Sequence, residues 1–500
     1  MQTYYPLFTA IPLAAAFLNL LLSKISMKVS DYIAFLVTGI LAVMSVKMLF
    51  EAPFIYAVGN WRPPFGILLV SDGLSSMMLV VINLIAFLAV IFSMKYMSTY
   101  TAKPKYFSLF MLMIAGMNGV VITGDMFNLY VFLEIASIAS YALVGFGTGK
   151  KELEASFKYL ILGGVASTAV LFGIAFLYSM TGTLNMPDLA QQLEVIGMTR
   201  TVGFVVALFL MGFGLKASAV PFHAWLPDAH PSAPAPISAM LSGVLIKALG
   251  IYTIMRIMFN IIGKDELISA IIMFLGAISM VIGGLLAVGQ KDFKRMLAYS
   301  SISQMGYVLI AIGLALKPSA EPVVASLALI GGLFHLVNHA VFKSLLFLAS
   351  GAVEYRTGTR DLGKLGGLIK KMPVTGAATA VGSLSIAGIP PFNGFWSKLI
   401  IILALFRGGY WVYGTVGVVV GFITLIYFVM LQKEVLFGKL PESLSKIKEA
   451  PFAMVLPLVI LAVLCLVMGI GYMAIEGQML DSAASALLDK MAYMNYLIGG

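Results

Sequence analysis

Cysteine and histidine are scarce in this 500-residue chain, which holds one cysteine, Cys465, and four histidines. An iron–sulfur cluster needs about four thiolate ligands and a disulfide needs two cysteines, so the chain can form neither within itself. Four histidines also leave little room for haem. We therefore expect no cofactor and no resident metal, and we interpret Cys465 as a small core or lipid-facing residue.

Charge is the second scarcity. Charged residues make up 11% of the chain and hydrophobic residues 60%, whereas about a quarter of the residues of a soluble protein are charged. Apolar runs of roughly 20 residues, long enough to cross a bilayer, recur from end to end. The sequence predicts an all-α, polytopic membrane protein. The period-two alternation of a membrane barrel is not seen, and the first run lacks a basic leader, so we interpret it as a retained span.

The apolar runs predict about fourteen spans in a single domain, residues 1–500. The runs lie near 3–22, 31–50, 71–94, 106–123, 126–147, 156–180, 202–226, 236–260, 267–289, 297–316, 322–353, 373–406, 410–431 and 451–475. The runs 322–353 and 373–406 are longer than a straight span needs, so they must tilt, bend or break. Residues 476–500 are less apolar and predict a short C-terminal tail.

Basic residues separate the loops into two sets. The rich set holds Lys24, Lys28, Lys95, Lys103, Lys105, Lys150, Lys151, Lys291, Lys294, Arg295, Arg356, Arg360, Lys364, Lys370, Lys371, Lys433, Lys439, Lys446 and Lys448. The poor set holds Arg62, Arg200, Lys264, Lys317, Arg407 and Lys490. By the positive-inside rule the rich set faces the cytoplasm, which puts both termini outside. The net charge of +10 therefore reflects topology, and we expect no nucleic-acid partner.

Ionisable residues within the apolar runs are costly in a bilayer and are functional candidates by default. They are Glu134, Lys158, Lys216, Lys247, His335, His339, Lys343 and Lys398. Glu134, Lys216 and Lys247 lie too deep to reach the interface easily; the alternative to a functional role for them is a static structural ion pair. Lys158 and Lys343 are nearer the cytoplasmic end, and Lys158 could extend to the interface instead.

Prolines interrupt two of these runs. Pro221 follows Lys216 in "GLKASAVPFHAWLPDAHP", and Pro390 and Pro391 precede Lys398 in "GIPPFNGFWSKL". Proline removes a helical hydrogen bond, and broken helices at membrane depth face protein or a water-filled cavity. The alternative is a kink that serves packing. We predict that Lys216 lies beside such water with Glu134 as its partner, because a lysine whose carboxylate approaches or retreats can load and release a proton.

The two histidines of one run raise the question of a metal. His335 and His339 are spaced i, i+4 and share a helix face, as zinc ligands can. A third ligand is not obvious, and Lys343 continues the same face, where its charge would repel a cation. The pattern favours a polar stripe that lines a hydrated path.

Several motifs, taken together, resemble a known family. They are "GDMFNLYVFLEIASIASYALV", "ELEASFKYLILGG", "LKASAVPFHAWLPDAHPSAPAPISAMLSGVLIKALG", "QKDFKRMLAYSSISQMGY", "FHLVNHAVFKSLLFLASGAV" and "GIPPFNGFWSKL". The resemblance is to the proton-conducting antiporter-like subunits of respiratory complex I, Mrp cation/proton antiporters and membrane-bound hydrogenases, and it covers about residues 70–440. Because the chain stops soon after the last run, it favours the Mrp D type or its counterpart in membrane-bound hydrogenases and sulfane reductases, with a complex I antiporter-like subunit as the alternative.

The resemblance implies fourteen transmembrane helices with two inverted five-helix repeats, at about 106–260 and 267–431. Helices 7 and 12 would be discontinuous, broken at Pro221 and at Pro390–Pro391. It also implies roles in proton translocation for Glu134 on span 5, Lys158 on span 6, Lys216 on span 7, Lys247 on span 8, His335, His339 and Lys343 on span 11, and Lys398 on span 12.

The resulting hypothesis is a proton path along the membrane midplane. It runs from the Glu134–Lys216 pair through Lys247 and the span 11 residues to Lys398, with water between the groups. The chain would be a transport subunit rather than an enzyme, bound to other membrane subunits in the cell membrane of a prokaryote; sodium exchange is left open. Two alternatives are a stand-alone transporter of an anionic solute, whose carboxylate the lysines would bind, and an intramembrane enzyme, for which no metal or nucleophile motif is visible.

Overall fold

The structure is a computed structural model that describes residues 2–24, 26–61, 63 and 65–495. Its α-helices are α1 (Leu7–Leu22), α2 (Met27–Met48), α3 (Gly73–Tyr96), α4 (Lys103–Ile122), α5 (Met126–Val144), α6 (Lys150–Thr181), α7 (Met186–Ile196), α8 (Arg200–Lys216), α9 (Leu226–Ser232), α10 (Ala235–Met240), α11 (Tyr252–Met255), α12 (Glu266–Val288), α13 (Phe293–Leu316), α14 (Pro322–Thr357), α15 (Pro373–Ala387), α16 (Asn393–Arg407), α17 (Trp411–Gln432), α18 (Phe452–Ile470), α19 (Tyr472–Ile475), α20 (Asp481–Leu488) and α21 (Lys490–Met494). Arg62 and residues 496–500 of the predicted tail lie outside the described residues.

Other helical types and a hairpin complete the fold. π-Helical stretches lie at Leu241–Leu245, Lys247–Ile251, Arg256–Ile262, Lys433–Phe437 and Glu476–Leu480. Short 3₁₀ turns lie at Gln2–Tyr4, Val58–Asn60, Met97–Thr99, Leu362–Lys364, Leu368–Lys370 and Glu442–Leu444. Strands β1 (Phe54–Ala57) and β2 (Leu68–Ser71) pair antiparallel, with Phe54 opposite Ser71.

The described residues contain 11 helices that are long and apolar enough to cross a membrane, so the prediction of a helical multi-pass membrane protein is confirmed. α1 and α15 are shorter apolar helices. The exact number of fourteen spans stays a prediction.

Side-chain caps fix where several spans begin. Asp72, Asp125, Thr199, Asp265 and Asp292 each accept a hydrogen bond from a backbone N–H in the first turn of α3, α5, α8, α12 and α13, respectively. Such caps satisfy donors that a helix leaves unpaired at its start. The caps place these helix starts at the ends of the apolar runs, where the chain enters the bilayer.

The two long apolar runs behave differently. Residues 322–353 lie in one continuous 36-residue helix, α14. The run 373–406 divides into α15 and α16, and the chain between Ala387 and Asn393 is not helical. The run 202–226 ends its helix at Lys216 and resumes only at Leu226. The non-helical segments contain the prolines that the sequence analysis singled out.

The eighth run is less regular than the sequence predicts. α10 ends at Met240, and the chain then continues largely as π-helix to Ile262. A π-turn leaves a carbonyl without its usual α-helical partner and is frequent at functional sites. Nearly all of this segment is buried, and the carbonyl of Ser242 in it accepts a hydrogen bond from the side chain of Lys247.

The burial pattern separates a central layer from a periphery. α4, α13, α14 and the π-helical segment are mostly buried, whereas fewer than half of the residues in the apolar windows of α2, α12, α17 and α18 are buried. The exposed surface carries large apolar side chains such as Phe35, Leu285 and Phe422, as lipid-facing helices require. The end of the chain packs inward: Leu480, Ala483 and Leu487 are buried.

Candidate functional site

Lys216, the last residue of α8, is fully buried beside α5. Its ammonium Nζ lies 3.9 Å from the carboxylate Oε1 of Glu134. It donates hydrogen bonds to the hydroxyls of Ser137, at 2.8 Å, and Tyr141, at 3.0 Å. Glu134, Ser137 and Tyr141 recur at i, i+3 and i+7 of α5, so one helix face holds all three groups. The structure therefore brings the predicted pair together, with two hydroxyls as the closer partners.

Glu134 differs from Lys216 in its exposure. A quarter of its side-chain surface is exposed, against 1% for Lys216. The carboxylate also accepts a hydrogen bond from Ser167 of α6. Glu134 is thus reachable from the outer face of α5 and α6, whereas Lys216 is enclosed.

The break that follows Lys216 is held by side chains from other helices. The Trp225 ring stacks on Tyr159 with a 4.0 Å centroid distance and an interplanar angle of 2°, and its indole N–H donates to the Leu215 carbonyl at 3.0 Å. The freed Val220 N–H donates to the Ser279 hydroxyl at 2.9 Å. Because these backbone groups find partners, the irregular segment is tolerated at membrane depth.

Lys247 is connected to Lys343 through hydroxyl and carbonyl groups. Lys247 Nζ donates to the Ser242 carbonyl at 2.6 Å, and the Ser242 hydroxyl lies 2.7 Å from the Ser301 hydroxyl. Ser301 donates to the Leu297 carbonyl at 2.9 Å, and Lys343 Nζ donates to that same carbonyl at 2.7 Å. All five residues are fully buried, so two lysines share one polar connection inside the protein.

The histidines of α14 contribute polar atoms that protein groups leave unpaired. His335 Nδ1 lies 2.9 Å from the Ser397 hydroxyl, but its Nε2 has no hydrogen-bond partner among the described residues. Within the same part of the chain, both ring nitrogens of His339 and the amide of Gln304 are also unpaired and buried. Buried polar atoms without partners are costly, and buried waters normally satisfy them. These unpaired atoms lie on α13 and α14, next to the Ser397 hydroxyl of α16.

Lys398 lies beside the second break. Its Nζ donates to the Ile386 carbonyl at 2.6 Å, near the end of α15, and lies 5.2 Å from the centre of the Tyr307 ring. Tyr307 is in turn 5.6 Å from the His335 ring, centre to centre. Lys398 therefore continues the row from the histidines to the end of a broken helix, where the helix dipole favours a cation.

An amide pair closes the second break. Asn393 donates from Nδ2 to the Asn338 side chain, and Asn338 donates from Nδ2 to the Asn393 carbonyl, both at 2.9 Å. The Ser385 hydroxyl donates to the Asn393 side chain, and a Cβ at Gly394 would collide with the Ser385 carbonyl. The packing of this break thus depends on neutral polar groups.

Lys158 is not part of the buried row. Almost half of its side chain is exposed, and its Nζ lies 2.6 Å from Glu154 and 3.1 Å from Asp228. Asp228 also pairs with Arg295 at 3.1 Å. The structure places Lys158 in a surface cluster of both charge signs, whereas the other candidates are buried, except for the partly exposed Glu134. No group of three His, Cys, Asp or Glu within the described ranges is arranged to hold a metal ion.

Sequence reasoning missed the hydroxyl groups that connect the lysines. Ser137 and Tyr141 could have been found from their helical spacing to Glu134. Ser242 and Ser301 carry no such signal, because serines are scattered through the apolar runs and only the packing of α13 on the π-helical segment brings these two together. Lys294, which the sequence analysis places in a cytoplasmic loop, is also buried.

The chain matches two family models. The one described as "NADH:quinone oxidoreductase/Mrp antiporter, TM" covers residues 123–424, and the one described as "NADH-Ubiquinone oxidoreductase (complex I), chain 5 N-terminus" covers residues 55–107. The first matches more than half of the chain and contains every residue of the row from Glu134 to Lys398.

Relatives and a solved structure agree with these matches. The chain is 34% identical to the D-type Na⁺/H⁺ antiporter subunit of Alkalihalophilus pseudofirmus, with 93% of each chain covered. It is 34% identical to the N-type NADH-quinone oxidoreductase subunit of Desulforudis audaxviator, covering 94% of this chain and 96% of that one. It superimposes with a TM-score of 0.90 and 31% identity on a chain of the archaeal membrane-bound sulfane sulfur reductase, covering 99% of this chain and 100% of the other. The chain therefore belongs to the NADH:quinone oxidoreductase/Mrp antiporter transmembrane family.

Proposed function

We propose that this chain is the proton-translocating membrane subunit of a multisubunit complex. The observation that carries the proposal is the buried connection from Lys247 to Lys343, in which two ammonium groups share hydroxyl and carbonyl partners without a carboxylate within the described part of the chain. A static ion pair would contain its counter-charge. Lysines held only by neutral groups can each exist with or without a proton.

The proposed path has four stages. Glu134 and Lys216 form the first site, Lys247 is the central relay, His335, His339 and Lys343 continue the path, and Lys398 gates the outer exit. Water bridges the gaps, and the unpaired nitrogens of His335 and His339 supply its hydrogen-bond partners. Lys158 joins the path, in this proposal, from the exposed surface beside Asp228.

Coupling between the stages is electrostatic. Like charges repel each other more strongly where water is sparse, so in this proposal a proton on Lys247 disfavours a second proton on Lys343, to which it is connected through Ser242 and Ser301. Moving Lys216 towards or away from Glu134 would change the electrostatic potential at Lys247. The driving event comes from partner subunits, because this chain supplies transport without a redox centre of its own.

The relatives suggest which complexes use such a subunit. One relative is a D-type Na⁺/H⁺ antiporter subunit, and one solved chain belongs to a sulfane sulfur reductase. We therefore propose an Mrp D-like subunit or its equivalent in a membrane-bound hydrogenase or sulfane reductase. A complex I antiporter-like subunit is the alternative. The proposal includes two inverted repeats, at about 106–260 and 267–431, a prokaryotic cell membrane, and both termini outside.

The partly exposed Glu134 supports an assembly over a stand-alone transporter. A carboxylate exposed at bilayer depth is costly, and a neighbouring membrane subunit packed on α5 and α6 would cover it. The buried lysines already donate to protein groups at 2.6–3.0 Å, which leaves less reason to propose an anionic solute.

The test is ion transport by the assembled complex in inside-out vesicles. Lys247→Met should lower the proton flux by about 100-fold or more, the scale of losing a positioned proton carrier. Lys264→Met, in a loop predicted to lie outside, is the matched control and should leave the flux unchanged. Normal flux in the Lys247→Met complex, with assembly verified by co-purification, would end the proposal.

A further inference from the structure

A polar basin lies where the loops predicted to be cytoplasmic meet. It is a cavity of about 300 Å³ whose lining carries both charge signs, including Lys158, Asp228, Asp292, Arg295 and Arg360. Asp228 pairs with Arg295 at 3.1 Å, and Asp292 pairs with Arg360 at 3.3 Å. The basin is therefore a hydrated reservoir of titratable groups at the surface, not a site tuned to one charge.

The inner wall of the basin leads to a buried lysine. Arg360 Nη1 lies 3.4 Å from Glu354 Oε1, and the other oxygen of Glu354 lies 3.5 Å from Lys294 Nζ. Glu354 is 28% exposed, whereas Lys294 is 1% exposed. Lys294 Nζ also donates to the Ala233 carbonyl at 2.9 Å. A partly exposed carboxylate that pairs with an arginine of the basin thus also contacts a buried ammonium.

His230 lies on α9, three residues before Ala233, whose carbonyl accepts the hydrogen bond from Lys294. It is fully buried, and both of its ring nitrogens lack a hydrogen-bond partner among the described residues. Its ring stacks on Phe347 of α14 at 4.4 Å, one helical turn from Lys343. On one side, the chain three residues after His230 contacts Lys294; on the other, Lys343 lies one turn from its stacking partner Phe347. A histidine in this position, with ring nitrogens that no described residue pairs, can accept a proton and give one up.

We propose that Glu354, Lys294 and His230 form the inlet that carries protons from the cytoplasmic basin to Lys343. Glu354 accepts a proton from basin water and transfers it to the neutral amine of Lys294. That proton moves to one nitrogen of His230, through water where the groups do not touch, while the other nitrogen gives a proton to neutral Lys343. Each transfer breaks one O–H or N–H bond and forms another at the acceptor, and the net result is one proton moved inward.

This inlet rests on the proposed function, since it feeds the same row at Lys343. It also explains two features that the row does not use: a lysine buried under a loop, and a histidine whose ring nitrogens find no partner in the described part of the chain. The alternative is that Lys294 is only a structural cation that holds Glu354 and the Ala233 carbonyl.

The experiment measures proton flux by the assembled complex in inside-out vesicles. Lys294→Met and His230→Phe should each lower the flux by about 10-fold or more, as loss of a proton carrier does. Lys291→Met is the matched control, because this exposed lysine lies just before Lys294 in the chain, and it should keep normal flux. Co-purification of the partner subunits checks assembly for every variant.

Lys294→Arg separates transfer from structure. Arginine keeps the charge and the contact with Glu354 but does not release its proton, so the inlet requires that Lys294→Arg stays slow while assembling normally. Normal flux in Lys294→Arg would overturn the inlet and leave Lys294 as a structural cation. Lys247→Met serves as the reference variant. If Lys247→Met abolishes flux while Lys294→Met and His230→Phe assemble and transport normally, the inlet is wrong and the proposed function stands. Normal flux in Lys247→Met would contradict the proposed function itself.

Discussion

The two ends of the buried row hold their lysines by different means. At the first end, Lys216 has a carboxylate, Glu134, at 3.9 Å and two hydroxyls at 2.8 and 3.0 Å. At the second end, Lys343 and Lys398 donate to backbone carbonyls at 2.7 and 2.6 Å, with no carboxylate within ion-pair distance in the described ranges. The first end therefore has a built-in counter-charge and the second relies on dipoles.

This difference suggests a division of labour. A nearby carboxylate stabilises the charged form of a lysine, and when the carboxylate moves away the lysine can release its proton. The first end is therefore suited to switching between a charged and a neutral lysine. Carbonyl dipoles stabilise an ammonium more weakly than a full charge does, so the second end is suited to passing protons on. The two breaks also differ in their packing: Trp225 stacks on Tyr159 at the first, whereas Asn338 and Asn393 hydrogen-bond to each other at the second.

The largest expected effect on transport tests whether the first end needs its charge pair. Glu134→Ala and Lys216→Ala should each abolish coupled transport, a loss of about 100-fold or more, because the remaining partner has nothing to switch against. Ion flux in vesicles gives the result, and Glu442→Ala, at an exposed position outside the basin, is the control. Flux close to normal in either variant, with the complex assembled, would show that the first end has no switching role.

The connection between the two ends can be tested at one hydroxyl. Ser301→Ala removes the group that contacts both Ser242 and the Leu297 carbonyl. We expect proton flux to fall by about tenfold, less than the roughly 100-fold that loss of a titrating proton carrier causes. Ser303→Ala is the matched control, because this buried serine of the same helix donates to Met280 instead. Equal flux in the two variants would contradict a path through Ser301.

A smaller effect is expected at the hydroxyls of the first end. Tyr141→Phe removes the 3.0 Å hydrogen bond to Lys216 and leaves Ser137 and Glu134 in place. A buried hydrogen bond contributes about 1 kcal/mol, so flux should change by about fivefold. Tyr159→Phe, which removes a hydroxyl bonded to Ser140, is the control. A loss of flux as large as that in Lys216→Ala would mean that proton transfer at the first end depends on the Tyr141 hydroxyl rather than on the charge pair.

The sequence predicts the charges of this site better than their contacts. Lys247 and Lys398 are visible because a charge within an apolar run is rare, and Pro221 is visible because proline cannot continue a helix. The partners could not be predicted: the Leu297 and Ile386 carbonyls are backbone atoms, which every residue has. The π-helical turns after Met240 also escape prediction, since a π-turn keeps the hydrophobic pattern of a buried helix and only packing selects it.

At the ends of the spans, the sequence does not predict which lysine side chains are buried. The loop pattern predicts a loop position for Lys294, and the family resemblance implies a role in proton translocation for Lys158, but Lys294 is buried and almost half of the Lys158 side chain is exposed. Lys294 is the second residue of α13 and Lys158 the ninth residue of α6, and near a helix start a shift of a few residues moves a side chain from water to the interior. Loop charge counts predict topology, but they do not show which lysine of a loop points inward.

The smallest expected effect on proton flux is at the end of a span, where a buried ion pair contributes to stability. Arg256 donates to both oxygens of Asp72, at 2.7 and 2.9 Å. Burial alone would raise the pKa of the Asp72 carboxyl, but the Arg256 charge and hydrogen bonds outweigh it and hold that pKa below its usual range. The folded-state pKa is thus depressed, so the carboxylate stabilises the fold above the unfolded pKa of about 3.9 and the contribution is lost as the pH falls through the folded value.

The thermal midpoint of the detergent-solubilised complex, measured from about pH 6 to about pH 3, reports this loss. In the unmodified chain the midpoint should fall over the acid part of the range. Asp72→Asn should lower the midpoint at the upper end and flatten the acid part of the curve, because the substituted side chain does not titrate. A variant curve that runs parallel to the original would assign the acid loss to other carboxyls. Asp72 lies far in sequence from Lys216 and Lys398, so proton flux at neutral pH should change less in Asp72→Asn than in any variant above. That outcome would distinguish the Asp72–Arg256 pair, which stabilises a helix end, from the Glu134–Lys216 pair, which is proposed to switch.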